Sequence, residues 1–229
     1  MMDRLRAWIS AHASTGFALA ALLLVTVLQQ ILIRDLTARP PAGVEDQYRA
    51  TALFLGNIWG AAKLLLVTPT IILLLLKRVR AYYTALLLSM IVITGELLAN
   101  VLLLVADPLM NSWQSGYYLL RDNVLLILIN VNVFALWYYV LEGPIWRVSA
   151  ATGEQRWDFL FPQRASELPG YAGWTPHFVD YWFLALVTIV TFGPADTLPL
   201  SRRAKLFMAL EIIVSVLTLT VLVGRALSS

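Results

Sequence analysis

The chain has 229 residues, 59% of them hydrophobic and 14% charged, with a mean hydropathy of +0.74 and a formal net charge of +3. A soluble domain carries about 25% charged residues, so this composition points to the bilayer. The lack of cysteine excludes disulfides and thiol chemistry, and His12 and His177 alone leave little for a histidine metal site. Basic residues held in short loops suit membrane orientation rather than nucleic-acid binding.

Arg4 and Arg6 precede an apolar stretch over 14–33. It is too long for a signal-peptide core and has no small-residue cleavage site, so it reads as a retained first span. The loop RDLTARPPAGVEDQYRA is broken by Pro40 and Pro41. A second run covers 51–76 with Pro69 as an expected kink, and KRVR makes a tight basic hairpin into a third run over 81–106. A fourth, over 117–141, is framed by Tyr117 and Tyr118 and by Trp137, Tyr138 and Tyr139, like an interfacial aromatic belt.

The longest polar segment, 142–177, carries Trp146, Trp157, Phe159 and Phe161 and is expected to lie along the membrane surface. A broken segment and a last apolar run, 205–227, complete the chain. The expected architecture is all-α: a polytopic helical membrane protein with five spans plus a re-entrant helix, or six spans. Residues 1–141 read as a four-helix transmembrane region, 142–177 as an interfacial loop, and 178–229 as a pore-loop-like helix, a break and a final transmembrane helix.

Basic residues favour the cytoplasm. A cytoplasmic N-terminus puts Arg4, Arg6, Lys77, Arg78 and Arg80 inside and returns the chain to the cytoplasm at Glu142. The expected location is a bacterial inner membrane.

The broken segment is DYWFLALVTIVTFGPADTLPLSRRAKL, Asp180 to Leu206. A helix over 178–193 is about 24 Å long against a hydrocarbon core of about 30 Å. It either crosses a pinched bilayer or dips in and returns. The dip keeps Arg202, Arg203 and Lys205 on the same side as Arg147, Arg156 and Arg164.

This segment resembles, in layout, the pore loop and following helix of tetrameric potassium channels. It is similar, more closely, to the C-terminal part of an uncharacterised family of bacterial multi-pass membrane proteins related to them. The resemblance covers Asp180 to the C-terminus. It sets Thr188, Thr191, Phe192, Gly193, Pro194, Ala195 and Asp196 at the end of a pore helix and along a filter. Thr191, Gly193 and Asp196 match the filter pattern, whereas Pro194 stands where it has tyrosine and Ala195 where it has its second glycine. A ladder of backbone carbonyls needs glycine's conformational range, so potassium selectivity is not expected. The resemblance implies a homo-oligomer in the lipid bilayer, with monovalent cations as candidate permeants. A cytoplasmic N-terminus makes the loop open to the cytoplasm, the reverse of a potassium-channel loop.

Ionisable residues inside spans are costly and stand as functional candidates. Lys63 and Glu96 lie about 20 and 23 Å from the KRVR hairpin, on helices that must be neighbours. They are expected to pair, either as a lock between two helices or as a relay with Asn100 one turn on. Gly56 and Gly60 offer a close-packing face. Asn123 and Asn130 share one face of the fourth helix, and Glu211, Ser215 and Thr218 share one face of the last. Glu211 is expected to face the broken segment or a neighbouring subunit, and Asp196 to cap a helix or pair with Arg202 or Arg203. No nucleophile–base arrangement, metal motif or phosphate-binding loop is present, so neither enzymatic activity nor a cofactor is expected.

Overall fold

Lipid offers no partners to backbone N–H and C=O groups, so long apolar runs satisfy them internally by folding as helices. The computed structural model describes residues 2–38, 45–76, 78–110, 116–143, 157–194 and 196–228. Four long helices come first: α1 (Met2–Thr37), α2 (Glu45–Leu75), α3 (Val79–Met110) and α4 (Gly116–Leu141). A compact section follows, with β1 (Phe159–Leu160), the one-turn α5 (Pro162–Ala165), a 3-10 turn (Pro169–Tyr171), α6 (Phe178–Thr191) and β2 (Leu198–Pro199). The last helix is α7 (Arg202–Ser228).

Five helices, α1 to α4 and α7, are long and apolar enough to cross a membrane, and α6 is not. The protein is therefore an all-helical, multi-pass membrane protein, as its composition requires. Pro69 lies inside α2 without ending it.

The chain forms two compact units. One comprises Leu23–Val133 and Ile213–Ser229. Its α2 and α3 pack side by side, joined by the short turn expected of KRVR, of which Lys77 lies outside the described residues. Trp59 covers Gly95, where an added Cβ would come within 3.3 Å of the indole. Gly56 and Gly60 face α1: a Cβ at either would meet Ile33 or Gln30 at 3.5 and 3.4 Å.

The other unit comprises Met1–Leu22 and Phe134–Ile212. Its core is aromatic. Tyr138, Phe159, Phe161 and Tyr181 are buried together, with ring centroids 4.9 Å apart for Tyr138–Phe159 and 5.6 Å for Phe161–Tyr181. Phe159 and Phe161, aromatics of the segment expected along the membrane surface, are packed edge-on or tilted against Tyr138 and Tyr181 in this core. Trp146, Arg147 and Arg156 lie outside the described residues.

Candidate functional site: the broken segment and the intramembrane charges

The start of α6 is fixed from three directions. His177 and Asp180 form a reciprocal capping box, in which His177 N–H donates to Asp180 Oδ2 at 2.7 Å. Phe178 N–H donates to Ser14 Oγ of α1 at 2.9 Å, satisfying another N-terminal amide. Tyr181, in the first turn, donates its hydroxyl to Glu142 Oε2 at 2.8 Å.

Glu142 gathers the rest of this end. Its Oε1 accepts from Asp158 N–H (3.1 Å), Phe159 N–H (2.9 Å) and Arg164 Nη1 (3.2 Å). Its Oε2 also accepts from Arg164 Nη2 at 3.0 Å. Arg164 stacks on Trp157, 3.6 Å from the ring centroid. One buried carboxylate thus holds the end of α4, the start of β1, the turn after it and the first turn of α6 at one level.

That level decides the path of the broken segment. From Tyr181, α6 runs away from Glu142 for about 15 Å. It ends at Phe192, the one non-glycine residue with positive φ among the described residues (φ 53°, ψ 35°). The chain then returns. β2 pairs antiparallel with β1, Leu198 opposite Leu160, and β1 is pinned at Glu142. The stretch from Phe192 to Thr197 reaches at most about 22 Å when extended, enough for this climb. Arg203 Nε and Nη2 grip Asp158 at 2.8 and 2.5 Å, so α7 also begins there. The chain leaves and comes back at one end of the unit, which favours the helix-and-return alternative over a sixth crossing.

The residues of the segment divide by exposure. Thr188 is buried and its hydroxyl donates to Leu184 C=O at 2.8 Å. Thr191 Oγ1 is exposed and lies 2.9 Å from Val187 C=O and 2.8 Å from Gly193 C=O, so one hydroxyl proton serves both carbonyls. Val190 is 70% exposed and Phe192 47%. Among the described residues, nothing comes within 4 Å of a Cβ built on Gly193. Pro194 and Asp196 are exposed, and Ala195 lies outside the described residues. Among the described residues, Asp196 neither caps α7 nor meets an arginine. Its Oδ1 accepts from the Thr197 hydroxyl at 3.2 Å, Ser201 caps α7 through Ala204 N–H at 3.1 Å, and Arg203 is taken by Asp158.

The intramembrane charges pair across helices. Lys63 Nζ donates to Glu96 Oε1 at 2.9 Å and lies 2.7 Å from Oε2, and both residues are 1% exposed. Glu211 is fully buried and accepts the hydroxyl proton of Tyr138 on α4. Asn130 Nδ2 donates to Ser215 Oγ at 2.8 Å, joining the polar faces of α4 and α7 that the sequence set apart.

The sequence marks Tyr138 only as a belt aromatic and Glu142 only as a boundary, and it does not set Asp158 or Tyr181 apart. Glu142 closes an apolar run directly, and Asp158 sits inside the aromatic stretch WDFLF; each is an acid in a setting that demands a partner.

Comparison with family models, curated proteins and solved structures finds no match to this chain.

Proposed function

We propose that this protein is a subunit of a homo-oligomeric membrane pore. Its segment from Thr188 to Asp196 borders a water-filled path for monovalent cations and is not potassium-selective. The observation that carries this reading is the return of the chain after α6. With the first turn of α6 at the edge of the hydrocarbon, the break lies about 15 Å deeper, close to the middle of a core about 30 Å thick. Non-helical backbone persists at that depth only inside protein or beside water. Phe192, Gly193 and Pro194 have little cover from their own chain, so further copies around an aqueous space supply it.

The exposed Asp196 carboxylate favours cations over anions. Potassium selectivity is disfavoured because Thr191 engages the Gly193 carbonyl, which a filter ladder would need for the ion. Pro194 removes an amide and fixes its φ at the next step. The positive-inside pattern of Arg4, Arg6, Arg78, Arg202 and Lys205 supports a cytoplasmic N-terminus and a loop opening to the cytoplasm.

A non-conducting structural or regulatory role is the alternative, favoured by one observation: Glu211 is already engaged by Tyr138 and works as a clamp between helices. Flux assays in proteoliposomes with sodium, potassium and chloride separate the two readings. The pore reading predicts cation flux that Asp196→Asn lowers at least threefold. Folded, reconstituted protein with no flux under any ion or voltage overturns it.

A further inference from the structure

The polar groups around Lys63 and Glu96 exceed what an ion pair between two helices requires. Gln29, on α1, is fully buried and donates Nε2 to Ile93 C=O of α3 at 2.8 Å, one turn before Glu96. That bond leaves Gln29 Oε1 without a partner. Asn100, one turn beyond Glu96 and 1% exposed, has an unpartnered Nδ2. Glu96 Oε2, though 2.7 Å from Lys63 Nζ, receives no well-directed hydrogen bond. Lys63 carries three N–H donors, and one directed bond, to Glu96 Oε1, engages them. Three helices thus bring the Lys63–Glu96 ion pair, an acceptor (Gln29 Oε1) and a donor (Asn100 Nδ2) to one stretch of α3, and the last two have no hydrogen-bond partner.

Burial without a partner is costly for Gln29 Oε1 and Asn100 Nδ2, and a small molecule that both donates and accepts relieves both. Water has that chemistry and needs two to four polar partners, as this cluster offers. The geometry points to Gln29, Lys63, Glu96 and Asn100 forming a hydrated proton-exchange site in the membrane interior, built from none of the residues of the broken segment.

The step balances within the site. A proton passes from Lys63 Nζ to a Glu96 oxygen; the N–H bond breaks with its electron pair left on nitrogen, and an O–H bond forms. The ionic pair becomes a neutral pair with no change in net charge. Bound water then returns a proton to the Lys63 nitrogen from the aqueous phase, and the site has gained one proton and one positive charge. Among the described residues the charged group that meets Glu96 is Lys63 from α2, and the uncharged Gln29 from α1 meets α3 one turn earlier, at Ile93 C=O. Elsewhere in this unit, Arg121 of α4 meets Asp35 at 2.7 Å and Asp122 at 3.3 Å.

Infrared spectroscopy of the full chain in liposomes tests this. A carboxylic-acid carbonyl band is expected to titrate with pH and to shift on transfer to deuterated buffer. Lys63→Met with Glu96→Gln, which removes both charges together and so spares the fold, removes the Glu96 component of the band and leaves that of the other carboxyl groups. Gln29→Met with Asn100→Leu keeps the ion pair and slows the deuterium shift at least tenfold. The inference is overturned by a wild-type protein with no titrating band, by a band identical in intensity and titration in the charge-free double variant, or by a shift equally fast without Gln29 and Asn100. Cation flux through the broken segment remains in both variants, so failure here and failure of the pore reading are told apart.

Discussion

Replacing Glu142 with glutamine tests the arrangement that sets the path of the broken segment. Side-chain volume is kept, but one oxygen becomes an NH2 group facing donors. The less costly placement puts NH2 at the Oε2 position, opposite Arg164 Nη2 and Tyr181 Oη. The opposite placement turns it towards two backbone amides and Arg164 Nη1. In either case the Arg164 guanidinium, only 11% exposed, loses its counter-charge. Breaking a buried pair from one side costs about 3–5 kcal/mol, and the hydrogen bonds that survive to the remaining oxygen bring the expected loss to about 3 kcal/mol. That is roughly a hundredfold in the unfolding equilibrium. Tyr181→Phe removes one bond and is expected to cost about 1–1.5 kcal/mol. Denaturant titration in detergent, followed by tryptophan fluorescence, measures both, and Trp157 on Arg164 is a local reporter. A Glu142→Gln loss within 0.5 kcal/mol of zero, or one no larger than that of Tyr181→Phe, refutes the role assigned to this carboxylate.

Lys63→Met or Glu96→Met alone is expected to destabilise by about 3–5 kcal/mol, while the two together fall within about 1 kcal/mol of wild type. Thermal unfolding of the full cycle in detergent measures the coupling, and additive losses contradict the pairing. Asn130→Leu leaves Ser215 without its donor and is expected to cost about 1 kcal/mol, and Ser215→Ala in that background adds little more. Phe192→Gly relieves a left-handed residue and is expected to raise stability by about 1 kcal/mol, as thermal unfolding would record.

The apolar helices were legible because lipid imposes one solution on an uninterrupted apolar run. The Lys63–Glu96 pair was legible for a similar reason: a short hairpin fixes which residues of α2 and α3 lie at one depth. The break after α6 was visible in Gly193 and Pro194, but its consequence was not. Whether the chain continues or returns depends on the pairing of β1 with β2, two residues each, and so short a pairing leaves no periodic trace. The partner of Glu211 was missed because Tyr138 read as a belt residue. Tyrosine suits both an interface and a buried hydroxyl donor, and the helix facing it decides which. Asp196 was matched with the nearest arginines in sequence, yet Arg203 reaches Asp158, brought near by the two-stranded pairing.

The central claim is that α6 and the stretch after it leave and re-enter the same face of the membrane. The chain has no cysteine, so Ser166→Cys and Ser201→Cys, one on each flank, each give a single reactive position. Labelling intact and inside-out vesicles with a membrane-impermeant maleimide reads the side directly. The account predicts that both positions label from the same face; labelling from opposite faces would make α6 a sixth span and contradict it.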